Sequence, residues 1–131
     1  MLWLLLYPET VVLSLETRQI EPGVTVIEIG GTIALGRESG RIEAAVLKAL
    51  NEGVQKLVID LSKVTYIDST GIGVIAYCFG KISQKGMHAA VAGARGLVMD
   101  VFKLTRLDSV IPFFPDVGSA CDGLAAAGSS A

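Results

Sequence analysis

Five stretches of the chain have the hydrophobic pattern of β-strands: apolar residues alternate with polar ones or form short runs that are almost entirely apolar. The first two flank the turn signal Pro22-Gly23, so we expect a hairpin whose second strand ends at Gly30-Gly31. The later ones are largely apolar, which is typical of strands covered on both faces. The predicted strands are residues 11–15, 24–29, 56–61, 88–92 and 110–114.

Four other stretches carry apolar residues at the spacing of an amphipathic helix. In the first, Ile42, Val46 and Ala49 fall on one face, and Gly53 is placed to end the helix. Strands joined by helices imply right-handed crossovers, so the pattern predicts an α/β fold with a mixed, mostly parallel sheet of about five strands and about four helices. The predicted helices are residues 38–51, 69–85, 97–104 and 116–127.

Length and composition fit one compact domain, because the chain has 131 residues, of which 51% are hydrophobic and 18% are charged. We expect the domain at residues 10–126, an N-terminal arm or extra strand at residues 1–9 and a frayed tail at residues 127–131. The apolar start stops at Pro8 and Glu9, so it is too short for a secretory signal or for a membrane span of about 20 residues. If exposed, this start would favour a weak homodimer.

Several functional classes lack the residues that they need. The net charge of −2 offers no basic surface to nucleic acid. His88 is the single histidine, Cys78 and Cys121 have no metal-binding spacing, and no Gly-x-x-x-x-Gly-Lys segment is present to hold phosphates. We therefore expect a protein that is not an enzyme and has no metal or cofactor. Two distant thiols without a disulfide framework favour the cytoplasm.

The segment at residues 62–68 is predicted to be a loop or a short strand extension at the carboxyl end of the sheet, where functional loops of parallel sheets lie. Ser69 is the expected N-cap of the next helix, and Asp68 adds favourable negative charge there. Gly71 and Gly73 each cost about 1 kcal/mol in a helix relative to alanine. Two explanations stay open for them: tight packing of this turn on the sheet, or close approach of a partner.

A phosphate on Ser69 would carry about −1.5 to −2 charges. At a helix N-terminus it would meet free N–H donors, so the fold would tolerate it. A partner that had accepted a small neutral hydroxyl would instead face a bulky dianion. We therefore predict a phosphorylation switch at Ser69 that acts on binding, with Thr70 as the alternative site because it also carries a hydroxyl at the helix start.

The sequence VTYIDSTGIGV at residues 64–74 resembles the signature of the STAS domain in its anti-sigma factor antagonist branch. The preceding LVIDL at residues 57–61 matches the central strand of that family. The stretch at residues 98–114, which contains LTRLD, resembles the family's third helix and following strand. The resemblance covers roughly residues 10–126.

This resemblance implies a sheet with helices packed mainly on one side and reversible phosphorylation of Ser69. The implied partner is an anti-sigma factor that is itself a serine kinase: the unmodified antagonist binds it and releases the sigma factor, phosphorylation breaks the complex, and a phosphatase restores it. The implied partner-binding residues are Asp68, Ser69, Thr70, Gly71, Gly73 and Thr32.

The resemblance also leaves one departure and one alternative. Many family members carry Gly-x-Leu-Asp after the second strand, whereas this chain has Gly31-Thr32-Ile33-Ala34, with alanine in the acidic position. In the family this region contributes to the partner surface. The alternative function is a STAS subunit of a transporter or of a larger signalling assembly, in which Ser69 is not phosphorylated.

Overall fold

The computed structural model describes residues 13–21, 23–33 and 39–128, and these residues form five strands, four α-helices and a short 3₁₀ turn at Leu107–Ser109. The predicted arm at residues 1–9, Ala34 and the last three residues lie outside this part of the chain. The strands are β1 (Leu13–Glu21), β2 (Val24–Ile33), β3 (Lys56–Ile67), β4 (His88–Ala92) and β5 (Phe113–Phe114). The helices are α1 (Ser39–Asn51), α2 (Ser69–Gln84), α3 (Gly96–Leu104) and α4 (Val117–Gly128).

The strands form one sheet in the order β1-β2-β3-β4-β5, which is also their order along the chain. β1 and β2 pair antiparallel as the expected hairpin, and every later neighbour pairs parallel through a crossover. The predicted α/β fold with a mixed, mostly parallel sheet is therefore confirmed.

The two faces of the sheet are covered unequally. Helices α1, α2 and α3 pack on one face, where Val46, Ile75 and Phe102 join the strand residues of the larger core. Helix α4 covers the other face through a smaller cluster that includes Ala120 and Leu124. The expectation that the helices lie mainly on one side is confirmed, and burial on both faces explains why the central strands are nearly continuous apolar runs.

Two strands are longer than the apolar pattern predicts. β2 does not end at Gly30-Gly31 but continues to Ile33, and β3 continues through residues 62–67 rather than giving way to a loop. Gly30 lies so close to the side chains of Ser14 and Lys63 that a Cβ would clash there. Gly31 has a φ of 88°, and the pairing register shifts just after it. Both register shifts leave an extra residue on β3, one between Asp60 and Lys63 and one between Val64 and Tyr66. The glycines therefore lie opposite bulges of β3 and do not form a turn.

The last strand is shorter than predicted. Only Phe113 and Phe114 of the predicted strand at residues 110–114 pair with β4. Val110 follows the 3₁₀ turn and is exposed, and Pro112 has no N–H to donate to a neighbouring strand. The hydrophobic side chains of this stretch predicted too long a strand, since residues 110–112 belong to the connection.

Candidate functional site

The candidate site lies at the carboxyl end of the extension that β2 and β3 share. Pairing between β3 and β4 stops at Asp60 and Ala92, whereas pairing between β2 and β3 continues to Ile33 and Ile67. The strand extension anticipated as an alternative to a loop is therefore what forms. Helix α2 begins directly after β3, so its first turn lies at the carboxyl end of the part of the sheet in which only β2 and β3 are paired.

Asp68, and not Ser69, is the N-cap of α2. Its backbone is extended, with φ −107° and ψ −175°, and its Oδ1 accepts a hydrogen bond of 2.9 Å from the backbone N–H of Gly71. Its own N–H donates to the carbonyl of Ile33 at 3.2 Å, which ties the cap to the end of β2. The prediction of Ser69 as N-cap is wrong by one residue, because aspartate and serine cap about equally well and the sequence places them side by side.

With the cap position taken by Asp68, Ser69 is the first residue of the helix and is exposed. Within the described part of the chain its hydroxyl makes no hydrogen bond, whereas Thr70 beside it is partly buried. A helix leaves its first N–H groups without intrahelical partners, so Ser69 stands at a positively polarised helix end. The Ser69 hydroxyl is therefore exposed to solvent and is not used to cap the helix.

The two glycines of the first helical turns have different roles. A Cβ on Gly71 would collide with the backbone carbonyl of Ile33 and would come within 2.8 Å of Ile67 Cγ1. Gly73 is exposed, and a Cβ there would meet nothing within 4 Å. Close packing therefore explains Gly71 but leaves Gly73 without a structural reason.

Thr32, the remaining predicted partner-binding residue, is brought to the same end of the sheet. It pairs with Tyr66 of β3, two residues before Asp68, and is partly exposed. The structure thus gathers every predicted site residue at one place: Thr32, Asp68, Ser69, Thr70, Gly71 and Gly73.

Sequence reasoning missed two exposed tyrosines beside this place. Tyr66 is 51% exposed at the end of β3, and Tyr77 is 50% exposed on α2, with the Lys81 ammonium 5.5 Å from its ring centroid. Tyr77 follows Ser69 and Gly73 at a spacing of four residues, which places all three on one helix face. That spacing was the signal available in the sequence. Exposed tyrosines are characteristic of the centres of protein interfaces.

The arrangement offers little for catalysis around Ser69. His88 pairs with Lys56 at the start of β3, so the 12-residue strand separates it from Ser69 by about 36 Å. Asp60 is buried within β3, where its Oδ1 accepts from the Ser62 N–H at 3.0 Å. Asp60 and Asp68 therefore do not form a carboxylate pair.

Both cysteines lie in the core, as expected of structural thiols. Burial, assisted by the negative charge of Glu43, raises the pKa of the Cys78 thiol to about 12. No cluster of three or more His, Cys, Asp or Glu side chains suited to a metal occurs among residues 13–21, 23–33 and 39–128. In the same residues no helix combines the length and the apolar character that a bilayer crossing requires.

Solved structures with this fold include anti-sigma factor antagonists and a part of a membrane transporter. An anti-sigma factor antagonist from Mycobacterium paratuberculosis is 24% identical, with a TM-score of 0.75 over 89% of this chain and 96% of that one. The Bacillus cell fate determinant SpoIIAA in its phosphorylated form is 14% identical, with a TM-score of 0.66 over 83% and 97%. The murine anion transporter Slc26a9 is 13% identical, with a TM-score of 0.75 over 95% of this chain and 24% of the transporter.

Identities this low establish the fold alone. Comparison with curated protein sequences gives no match. The model of the STAS domain, in contrast, matches residues 16–120. Because that match spans most of the chain and includes the strand extension, the cap and the first turns of α2, the chain belongs to the STAS domain family.

Proposed function

We propose that this protein is an anti-sigma factor antagonist whose binding is controlled by phosphorylation of Ser69. In its unmodified form it binds an anti-sigma factor serine kinase and thereby releases a sigma factor. The kinase then phosphorylates Ser69 and the complex dissociates, and a phosphatase restores the binding form. The protein acts in the cytoplasm as a binding module, and ATP belongs to the kinase.

One observation carries the proposal: the Ser69 hydroxyl is exposed at a helix N-terminus where Asp68 already provides the cap. A serine that capped the helix would have its oxygen engaged by the backbone, and modification would cost stability. Here the hydroxyl is not required for the fold. Likeness in fold to SpoIIAA, which is described both as an anti-sigma factor antagonist and in a phosphorylated form, supports the same function.

The expected mechanism is local and electrostatic. The added phosphate meets the N-terminal N–H groups of α2, which favour it, and the neighbouring Asp68 carboxylate, which repels it. These opposing effects leave the folded state almost unchanged. A partner that packs against Thr32, Ser69 and Gly73 would have to desolvate the dianion, so the free-energy cost falls on the complex.

The test uses the full chain and the anti-sigma factor kinase of the same organism. Ser69→Ala should bind the kinase without becoming phosphorylated in the presence of ATP and Mg²⁺. Ser69→Asp should bind at least about tenfold more weakly, which corresponds to about 1.4 kcal/mol. Thr70→Ala is the matched control and should still be phosphorylated. Labelling that is lost in Thr70→Ala and kept in Ser69→Ala would assign the modification to Thr70.

The second candidate is a STAS module of a transporter or of a larger signalling assembly. The likeness in fold to a quarter of Slc26a9 favours it, because there the same fold is one part of a membrane protein. In that case Ser69 would not be phosphorylated. Neither the original chain nor the Ser69→Asp variant would bind an anti-sigma factor kinase detectably. Phosphate mapping by mass spectrometry on protein taken from cells separates the two functions.

A further inference from the structure

Among the residues that the structure describes, β1 is an edge strand of the sheet, and its outer side faces away from β2. In an antiparallel pair, alternate residues direct their N–H and C=O groups toward the neighbouring strand and the others direct them outward. Such an edge is a template for a further strand. Its register with β2 runs without a shift from Leu13 to Gln19, so the edge is regular over these seven residues before the irregularity near Glu21. The Leu13 carbonyl at its start accepts a hydrogen bond of 2.7 Å from Arg41 Nη1 of α1, so the edge open to a further strand begins after Leu13.

Natural edge strands are often protected by charged side chains, and the charges on β1 have a particular arrangement. Glu16 and Arg18 are both exposed and, being two residues apart, lie on the same face of the sheet. Charges of one sign would repel a second copy of the strand. Alternating signs allow two copies to attract each other in one register.

That register follows from geometry. Two copies of β1 that extend one continuous sheet must run antiparallel about a two-fold axis perpendicular to it, so that opposed residues share a face. An axis through Thr17 opposes Glu16 of each copy to Arg18 of the other. Because Thr17 is the midpoint of Leu13–Glu21, this register also overlaps the whole strand.

The neighbouring registers of the same symmetry are unfavourable. An axis through Glu16 opposes the two Glu16 carboxylates, and an axis through Arg18 opposes the two guanidinium groups. Like charges directly across a strand pair are destabilising. The charges of β1 therefore disfavour the two registers on either side of the one centred on Thr17, and that register also overlaps the most residues.

Glu16 also has a local reason to attract a cation. It stands directly across from Glu28 on β2, so the hairpin itself opposes two carboxylates. Glu28 is compensated by Lys63 at 3.0 Å and by Arg18 at 3.9 Å. Lys63 also interacts electrostatically with Glu16, but in the described part of the chain no cation lies within ion-pair distance of Glu16. The Arg18 of a second copy, in the register centred on Thr17, would supply one.

We propose that two copies of this chain associate edge to edge through β1, with Thr17 on the two-fold axis and Glu16 of each copy opposite Arg18 of the other. The two five-stranded sheets become one of ten strands. The contact lies on the hairpin and does not involve Ser69, so it is independent of the proposed phosphorylation switch.

A charge-swap experiment on the full chain tests this register. Glu16→Arg and Arg18→Glu should each weaken dimerisation about tenfold or more, since each turns two attractive pairs into two repulsive ones. An equimolar mixture of the two variants should form a heterodimer, because every opposed pair is then attractive. The double variant Glu16→Arg/Arg18→Glu should dimerise as the unmodified protein does. Lys103→Glu, an exposed charge reversal on α3, is the control and should change nothing.

Sedimentation equilibrium gives the dissociation constants, and native mass spectrometry of the mixture identifies the heterodimer. Thermal unfolding checks that each variant remains folded. A full chain that stays monomeric over the accessible concentration range overturns the proposal, as does a mixture of the variants that forms no heterodimer. A dimer unaffected by either reversal also overturns it and would assign the contact to another surface, with the apolar residues 1–7 the first to examine.

Discussion

Gly71 and Gly73 lie two residues apart in one helix, yet their substitutions should act in opposite directions. Gly71→Ala should destabilise the fold by about 1–3 kcal/mol, because its Cβ would collide with the carbonyl of Ile33, and backbone cannot move aside as a side chain can. Gly73→Ala should stabilise it by about 1 kcal/mol, the gain in helix propensity at an open position. Urea denaturation of both variants measures the difference. Shifts of the same sign would contradict the assignment of these roles.

The role of a residue could be predicted from the sequence where its type and neighbours allowed only one structural explanation. Cys78 and Cys121, for example, have no metal-binding spacing, and both are buried as thiols without a chemical role usually are. The N-cap was misassigned because Asp68 and Ser69 have the same preference for that position and only the backbone angles decide between them. The sequence left the reason for the two glycines open, because their roles depend on contacts with Ile33 and Ile67 that local reasoning does not reveal.

Helix α2 depends on its first turn, since Asp68 joins its start to the ends of both β2 and β3. Asp68→Ala should cost about 1 kcal/mol of stability, the usual loss for an N-cap. Asp68→Asn should cost less, because the amide oxygen can still accept from the Gly71 N–H. Chemical denaturation provides the comparison. If Asp68→Ala were neutral, Ser69 would have taken over the cap and its hydroxyl would not be free.

The extension of β2 and β3 could not be predicted from the hydrophobic pattern of the sequence. In residues 62–67 only Val64 and Ile67 are buried, so neither a two-residue alternation nor a continuous apolar run is present. The register shifts after Glu28 and after Gly31 explain this, because each irregularity changes which side chains face the core. The long apolar strands and helices could be predicted, since both faces of the sheet are buried.

The two faces of the sheet are protected unequally from solvent, because three helices cover one face and α4 alone covers the other. Elements that pack on a small core open at lower free energy than the central core. Cys121 on α4 should therefore react with a thiol reagent under native conditions faster than Cys78, which lies in the larger core and whose pKa is raised to about 12. Peptide mapping after timed labelling gives both rates. Faster labelling of Cys78 would show that α2 opens before α4.

At this scale the fold class followed from the order of strands and helices, because βαβ connections restrict the topology severely. The position of α4 on the opposite face could not be read from the sequence, since an amphipathic helix does not specify which side of a sheet it covers. The roles of Thr32, Ser69 and Gly73 in binding remain predictions, because they depend on a second protein.

The identity of strand order and chain order has a kinetic consequence. Each strand pairs with the one that precedes it, so no segment must wait for a distant part of the chain before it finds its place. Local pairing lowers the loop-closure entropy that precedes each contact, and chains with such topologies fold faster than those dominated by distant pairings. During synthesis the hairpin can close first, and each later helix and strand can add to an edge that is already present.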